Sequence, residues 1–443
     1  MLPARQVVTD ELRRLAYGTD ASFYRLIPQV IAIVENEDEV RSVLATARAH
    51  GRPVTFRAAG TSLSGQAITD GVLALIGESF ATCDIAPDAG SVRVGPGIIG
   101  GEVNYRLAPL GRKIGPDPAS INAAKIGGIA ANNASGMCCG TSQNSYKTLL
   151  GLRVVLANGG VLDTEDPASV TAFRASHARL LGELEHLAAS VRADTVLAER
   201  IRRKFKIKNT TGYSLNALVD YEDPIDILAH LMIGSEGTLG FISRVTYRTV
   251  VEDPCKASAL VFFPSIETAC TTVIRLKSEP VSAVELLDRA SLRAVENQPG
   301  MPDEMRTLDE GAAALLIEVR AGTPELLSER IDLCLGAFAG IETIGEPGFS
   351  TDPATCDKYW KVRKGTLPST RRSSSATRSR AICTSVSPRT SGTRPRSSAM
   401  RGSWTTCASW SSKSTTGRSR PSTARAATWR RTWSSSGASR RPT

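Results

Sequence analysis

The spacing of hydrophobic and polar residues along the chain predicts short strands and helices separated by loops of small residues. Residues 39–50 have helical spacing and stop at Gly51. Residues 1–25 predict a short helix and a lead-in. This succession is typical of an α+β or α/β sandwich. Strands are predicted over 52–56, 72–76, 91–94, 149–156 and 241–250, and a polar helical stretch over 168–197.

The pattern changes near Lys256, where a second succession of elements begins. It predicts a second domain with its own sheet. Strands are predicted over 258–263, 284–287, 312–319 and 358–363, and helices over 266–278 and 289–296.

The loops between the first elements are unusually rich in small residues. In one of them, backbone N–H groups and the hydroxyls of Thr61 and Ser62 can cradle a pyrophosphate, although an ordinary glycine-rich turn has the same composition. The glycines of 95–101 lack the spacing of a dinucleotide fingerprint and predict a turn at a strand end. The four loops that stand out lie at 56–66, 116–118, 126–136 and 234–240.

Charge is distributed very unevenly. The net charge of +10 arises in residues 371–443, which hold 15 Arg, one Lys and no acid, whereas the other 370 residues hold 38 basic and 44 acidic side chains. Nucleic-acid binding would therefore depend on the tail alone. No apolar run is long enough to span a bilayer, and the nine cysteines form no Cys-x-x-Cys pair. These features favour a cytoplasmic protein with reduced thiols.

Taken together, the four loops resemble the FAD-binding domain of the vanillyl-alcohol-oxidase family, in particular of the FAD-linked D-lactate and D-2-hydroxyacid dehydrogenases. The last two loops contain Ile-Gly-Gly-Ile-Ala-Ala-Asn-Asn-Ala-Ser-Gly and Gly-Ser-Glu-Gly-Thr-Leu-Gly, and residues 208–213 resemble a further family segment. The match covers residues 25–365. It implies an α+β fold, with a PCMH-type FAD-binding domain of two α+β subdomains followed by a truncated α+β cap domain.

The resemblance also implies which residues hold the cofactor. The first loop would bind the pyrophosphate, and the others would line the flavin and close the site. Ala58 stands where the family usually has glycine, and a methyl group is comfortable there only if φ is negative. The first loop has no histidine, so FAD would be bound noncovalently. The implied cofactor residues are Arg57, Gly60, Thr61, Ser62, Gly65, Pro116, Asp117, Gly127, Gly128, Asn133, Ser135, Gly136, Glu236, Gly237 and Ile242.

Oxidation of a 2-hydroxy acid needs a hydride acceptor, a base and a cation for the carboxylate. Trp360-Lys-Val-Arg363 resembles a Trp-x-x-Arg strand of the family, whose arginine binds the substrate carboxylate as a bidentate fork. Without the resemblance, Arg363 would be a surface charge on a strand.

The base is missing from the sequence as it stands. The family carries it in two C-terminal histidine motifs that also supply metal ligands in many members. The four histidines of this chain are His50, His177, His186 and His230, and none lies in such a motif. We expect structural roles for them, no retained catalytic residue and no metal site.

Residues 367–443 form a basic tail of low complexity. After Leu367 there is no leucine and no acid, so the tail cannot bury enough apolar surface to fold and should be disordered. An Arg/Ser tail that binds nucleic acid is one interpretation. The other is translation in a wrong frame, because residues 375–387 and 420–429 can be back-translated so that one shifted frame encodes both missing histidine motifs, in order. We favour a frameshift near residues 365–370.

These observations predict a lead-in (1–24), an FAD-binding domain (25–252), a partial cap domain (253–366) and the tail (367–443). The expected activity is FAD-dependent oxidation of a D-2-hydroxy acid, most simply D-lactate, impaired by loss of the histidine motifs. The acceptor would be a quinone, a cytochrome or an iron–sulfur domain, and contact with a membrane surface is compatible with this. The alternatives are an FAD oxidase of another alcohol and an inactive FAD-binding remnant with a nucleic-acid-binding tail.

Overall fold

The computed structural model describes residues 2–136 and 138–365. The tail predicted to be disordered and out of frame (367–443) lies outside the described residues. The described part consists of three sheets with helices packed against them, which confirms the predicted α+β class.

The first sheet has the strand order β1-β2-β4-β3, in which β2, β4 and β3 are parallel and β1 is antiparallel. Because parallel strands end at one edge, the loops after β3 and β4 emerge side by side. The lead-in contributes β1, a strand that the sequence pattern did not predict. The elements are β1 (Val7–Val8), α1 (Glu11–Ala16), β2 (Val30–Val34), α2 (Glu37–Ala49), β3 (Val54–Arg57) and β4 (Val72–Ile76).

Helix α2 shows why the local pattern was informative. The Asn36 side chain accepts a hydrogen bond from the Glu39 backbone N–H (3.0 Å), and acidic residues fill the first turn. The helix stops at Gly51, whose φ of +61° suits glycine. Its buried residues Val40, Val43 and Ala47 recur at helical spacing, and Val40 and Val43 pack against residues of the first sheet.

The second sheet is antiparallel, with the order β5-β6-β10-β8-β9 and β7 paired to β10. Its central strand β10 follows the last small-residue loop directly. The elements are β5 (Cys83–Ile85), β6 (Ser91–Val94), α3 (Gly100–Leu107), β7 (Arg112–Ile114), α4 (Ile126–Asn132), α5 (Ser145–Thr148), β8 (Leu149–Leu156), β9 (Val161–Asp163), α6 (Pro167–Ser176), α7 (Ala178–Ala193), α8 (Thr195–Lys204), α9 (Ala217–Asp220), α10 (Pro224–Met232) and β10 (Gly240–Val251).

The third sheet belongs to the predicted cap domain and has the antiparallel order β11-β13-β12. One of its faces is apolar and packs against α11 and α13. The other face carries Ser258, Glu285 and Glu318 among apolar residues, because strand registers place these three on the same side. The elements are β11 (Cys255–Phe263), α11 (Ile266–Leu276), β12 (Ala283–Asp288), α12 (Arg289–Arg293), β13 (Ala313–Ala321), α13 (Pro324–Gly336) and α14 (Pro353–Gly365).

The strand predicted over residues 358–363 is wrong, because this segment belongs to helix α14. Asp352 accepts hydrogen bonds from the Thr355 backbone N–H (2.8 Å) and hydroxyl (2.6 Å), which caps the helix, and Pro353 stands at its first position. Val362 is fully buried against the cap sheet, and the Trp360 indole N–H donates to the Ser258 hydroxyl (3.3 Å). The Asp352 cap and the burial of Val362 therefore outweigh the strand propensity of Tyr359 and Trp360.

A charged cluster joins the second sheet to the cap sheet. Glu252, between β10 and β11, lies 2.7 Å from the ammonium groups of Lys113 and Lys256 and 2.9 Å from the Arg320 guanidinium. Arg320 also pairs with Glu318 (2.5 Å). The described residues contain no helix long and apolar enough to cross a bilayer.

Candidate cofactor site

A cleft of about 420 Å³ lies at the carboxyl edge of the first sheet. The loop after β3 and the last residue of β4, Ile76, form one wall, while α4 and the start of β10 form the other. Ligand sites commonly lie at this edge, where parallel strands end. The small-residue loops therefore meet although they are far apart in the chain.

The first loop is shaped by glycines and hydroxyl groups. Gly60 and Gly65 have φ values of +68° and +78°, which other residues rarely adopt. The Ser62 hydroxyl accepts hydrogen bonds from the backbone N–H groups of Ser64 (3.1 Å) and Gln66 (3.4 Å). Ala58 is not among the described non-glycine residues with positive φ, so its methyl group is accommodated without strain.

Arg57 points away from the cleft. Its guanidinium donates to the backbone carbonyls of Tyr17 (3.1 Å) and Thr19 (2.8 Å), and burial lowers its pKa. A Cβ on Gly60 would come within 2.6 Å of this guanidinium. Arg57 thus ties the lead-in to the first loop.

The first turn of helix α4 presents glycine backbone to the cleft. A Cβ on Gly127 would lie 2.7 Å from the Cβ of Pro96, so backbone and proline ring are in close contact. Asn133 ends the helix with φ +49°, and its side chain accepts from the Tyr146 backbone N–H (3.2 Å). Ser135 follows and lines the cleft.

Asp117 and Gly136 lie behind the cleft and hold the next loop. The Asp117 carboxylate accepts hydrogen bonds from the backbone N–H groups of Cys138 (3.1 Å) and Cys139 (3.3 Å). A Cβ on Gly136 would lie 1.7 Å from the Asp117 carbonyl oxygen, which explains glycine at this position. Pro116 is buried next to them.

Glu236 is the acidic side chain among the described residues that line the cleft. It has φ +53°, and its carboxylate accepts a hydrogen bond from the Asn132 amide (2.5 Å). Burial raises its pKa, partly opposed by that hydrogen bond. A non-glycine residue in this conformation stores strain, which is a frequent property of functional loops.

The cleft brings together most, but not all, of the residues that the resemblance implied. Arg57, Gly65, Pro116, Asp117, Asn133 and Gly136 lie outside its lining and shape the loops instead. The residues that line it are Gly60, Thr61, Ser62, Gly127, Gly128, Ser135, Glu236, Gly237 and Ile242.

Sequence reasoning missed several lining residues. Pro96 lies in the Gly-Pro-Gly segment that was interpreted as a simple turn, and its close contact with Gly127 gave no local signal. Lys125 and Asn132 are sequence neighbours of residues that were identified, and this proximity was the only sign in the sequence of their place in the cleft lining. Phe56 and Phe241 also line the cleft, with ring centroids 5.0 Å apart.

Arg363 lies in α14 and is not among the described residues that line the cleft. Its Nε donates to a carboxylate oxygen of Glu285 (3.1 Å), and the two residues are 9% and 1% exposed. The structure thus places the arginine predicted to bind substrate in a buried ion pair, on the face of the cap sheet that carries Ser258, Glu285 and Glu318.

The histidines lie away from the cleft lining. His230 is buried, stacks on Tyr221 (4.0 Å between ring centroids) and contacts the Asp226 carbonyl oxygen through Nδ1 (2.8 Å); burial lowers its pKa. His177 stacks on Phe173, His50 caps α2, and His186 is exposed. Within residues 2–136 and 138–365, no cluster of three or more potential ligands could hold a metal ion.

Two family models match consecutive parts of the chain. The FAD binding domain matches residues 28–165, and the C-terminal domain of FAD linked oxidases matches residues 253–391. FAD is the cofactor of this family. The cleft fits it, because its lining combines glycine backbone, the hydroxyl groups of Thr61 and Ser62 in the first loop, and two lysines, Lys125 and Lys208.

Three curated relatives show the range of similarity. D-2-hydroxyglutarate dehydrogenase of Escherichia coli K12 is 30% identical over 52% of this chain and 23% of its own length. Glycolate oxidase subunit GlcD of the same strain is 25% identical over 83% and 63%. The mitochondrial D-lactate dehydrogenase (cytochrome) of Arabidopsis thaliana is 26% identical over 82% and 54%. The chain therefore spans less than two thirds of each relative.

Solved structures show the same fold. An alkyldihydroxyacetonephosphate synthase superposes with a TM-score of 0.57 at 15% identity, over 83% of this chain and 62% of that one. BBE-like 1 of Physcomitrella patens superposes with a TM-score of 0.50 at 14% identity, over 80% and 62%. With the family models, these structures confirm the predicted fold of a PCMH-type FAD-binding domain followed by a cap domain.

Proposed function

We propose that this chain, whose two parts match the FAD binding domain and the C-terminal domain of FAD linked oxidases, oxidises a small D-2-hydroxy acid, with D-lactate as the first candidate. The names of the relatives mention D-2-hydroxyglutarate, glycolate and D-lactate, which all carry a hydroxyl group next to a carboxylate. The observation that carries the proposal is the meeting of the four loops around one cleft.

The proposed division of roles follows from the chemistry of the substrate. When bound, FAD supplies the hydride acceptor for the alcohol carbon. Gly60, Thr61 and Ser62 would hold its diphosphate, and the glycine backbone at Gly127 and Gly128 would let a flat ring approach. Noncovalent binding is proposed, because the first loop contains no histidine.

Arg363 is the proposed cation for the substrate carboxylate. A guanidinium offers several N–H donors in a fixed plane, and the bond from Nε to Glu285 orients that plane. The assignment depends on the Trp-x-x-Arg resemblance.

We further propose that this chain has little or no turnover, although it binds FAD. The described residues lining the cleft include no histidine to accept the hydroxyl proton. The frameshift hypothesis accounts for this, since the shifted frame would encode both missing histidine motifs. In the intact enzyme, electrons would pass to a quinone, a cytochrome or an iron–sulfur partner, and we propose a cytoplasmic or membrane-peripheral location.

The test uses two proteins, the chain as given and the product of a frame-corrected gene. We expect both to purify with a flavin absorbance spectrum and only the corrected protein to reduce a dye in the presence of D-lactate. D-2-Hydroxyglutarate and glycolate serve as competing substrates in the same assay.

Each outcome is informative. A folded, colourless protein that does not bind added FAD would refute the proposal. Robust D-lactate oxidation by the uncorrected chain would refute the loss of the base, and oxygen consumption without dye would favour an oxidase. The nucleotide sequence decides the frameshift, because its shifted frame either contains the two motifs or does not.

A further inference from the structure

The side chains that line the cleft have an excess of positive charge. Among the described lining residues, Lys125 and Lys208 are basic and Glu236 is acidic, while the others are small, apolar, hydroxyl or amide residues. Each phosphate of a diphosphate ester is anionic at neutral pH. The cleft therefore favours an anionic group by its own charge balance.

Lys125 is the better placed of the two lysines. Lys208 is exposed, whereas the Lys125 side chain is 18% exposed and lies along the cleft wall. Its backbone directly precedes α4 and forms an isolated bridge with Ile99, so the base of the side chain is fixed. A lysine held in this way covers apolar surface with its stem and presents its ammonium group at the rim.

The ammonium group of Lys125 has a weak partner. It lies 3.6 Å from a carboxylate oxygen of Glu78, whose side chain is 89% exposed. Such an exposed pair contributes little, because water screens it and both side chains lose freedom. A doubly charged anion inside the cleft would be a stronger partner.

The position of this pair matches the expected position of a diphosphate. Glu78 follows the end of β4, and the Thr61 and Ser62 hydroxyls follow the end of β3. The two strands are parallel neighbours, so both features lie at the same sheet edge. Lys125 lines the same cleft and reaches this edge through its pair with Glu78.

We propose that Lys125 binds the diphosphate of FAD across the cleft from the first loop, and that Glu78 holds its ammonium group at the rim until the cofactor binds. The resemblance assigns the diphosphate to the first loop alone. Lys125 adds a charge-assisted contact to a site otherwise built from backbone and hydroxyl groups.

The test measures FAD affinity in the flavin-free full-length chain by quenching of flavin fluorescence. Lys125→Gln should weaken FAD binding about tenfold, as expected for loss of one partly exposed charged hydrogen bond. Lys125→Arg should retain most of the affinity. Lys204→Gln, on the exposed end of α8, is the matched control and should change nothing. The salt dependence of the dissociation constant should become shallower in Lys125→Gln only.

Riboflavin, which lacks phosphate, separates the two ends of the cofactor. We expect the same riboflavin affinity in the native chain and in Lys125→Gln, and tighter FAD binding in Glu78→Gln. An unchanged FAD affinity in a folded Lys125→Gln protein would overturn the proposal. An equal loss for FAD and riboflavin would also overturn it, by placing Lys125 at the flavin ring. No turnover is measured, so the result is independent of the proposed substrate.

Discussion

The cofactor region and the cap region build their polar features in opposite ways. Around the cleft, the shape of the site depends on glycine backbone in close contact with a neighbouring segment, such as Gly127 against Pro96 and Gly136 against Asp117. On the cap sheet, the decisive groups are long charged side chains buried as pairs, above all Glu285 with Arg363. Close backbone approach requires small residues in sequence, whereas a buried pair joins residues from distant elements.

This difference decides how each region fails. A backbone site is lost when a single methyl group is added, because no side chain can move aside. A buried ion pair is lost when one partner is removed, because the other charge then stays without compensation in a medium of low polarity. The two regions should therefore respond to opposite kinds of substitution.

The largest effect should follow Gly136→Ala. The added Cβ would lie 1.7 Å from the Asp117 carbonyl oxygen, and both atoms are attached to backbone. We expect a loss of more than about 4 kcal/mol in the free energy of unfolding, with loss of FAD binding. Urea titration and flavin spectra measure both.

The control for this prediction is Gly182→Ala in α7, where an added Cβ meets no atom within 4 Å. Alanine has the higher helix propensity, so this change should stabilise by up to about 1 kcal/mol. If Gly136→Ala were as harmless as Gly182→Ala, the close approach in the cofactor region would be contradicted.

Arg363→Met should have the next largest effect and should not abolish FAD binding. It removes a partner from Glu285, which is 1% exposed, and we expect destabilisation of about 3 kcal/mol. The double variant Glu285→Met with Arg363→Met should recover most of that loss, because neither charge of the pair is left without its partner. Thermal and urea unfolding provide the measurement.

The matched control is Arg179→Met, which breaks the exposed pair with Glu183 on α7. Its effect should stay within about 0.5 kcal/mol. Equal losses in the Arg363 and Arg179 variants would show that burial does not strengthen the cap pair, and the contrast between the regions would fail.

The smallest predicted effect concerns the charged cluster around Glu252, between the second sheet and the cap sheet, and it appears only at acidic pH. Burial alone would raise the pKa of Glu252, but hydrogen bonds from Lys113 and Lys256 and the charge of Arg320 lower it to about 2. Because the folded pKa lies below the unfolded value, the stabilisation is complete above about pH 4.5 and is lost as the pH falls toward about 2.

Glu252→Gln removes this titration. We expect the urea midpoint of the native chain to fall more steeply than that of Glu252→Gln as the pH is lowered through this window. Parallel pH profiles would contradict the role of Glu252 in joining the two regions. Asp38→Asn, which alters an exposed pair on α2, should leave the profile unchanged.

Much of the first two sheets followed from local rules. The strand at residues 72–76, the strand at 149–156 and the stop of α2 at Gly51 agree with the structure, because alternation, helical spacing and glycine stops act over a few residues. The segment 358–363 failed for a reason that is also physical. An aromatic pair favours a strand, but the Asp352 cap and burial of Val362 produce a helix.

The candidate site divides in the same manner. Gly60, Gly127 and Glu236 stand in loops that the family resemblance identified, and they line the cleft. Pro96 and Lys125 were not identified, because their place in the lining depends on how distant segments pack, as Pro96 does against Gly127. Arg57, by contrast, belonged to an identified loop but turns toward the lead-in.

Turn chemistry and residue spacing were enough to indicate an α+β or α/β fold, because each depends on neighbours within a few residues. FAD was implied by the resemblance of the four loops, taken together, to a known family. The chain fold decided which loop residues form the cleft, which lysines line it and which acid accompanies Arg363. These features join residues that are far apart in sequence, such as Glu285 and Arg363. They depend on which side chains are buried together, and that is settled only when the sheets pack.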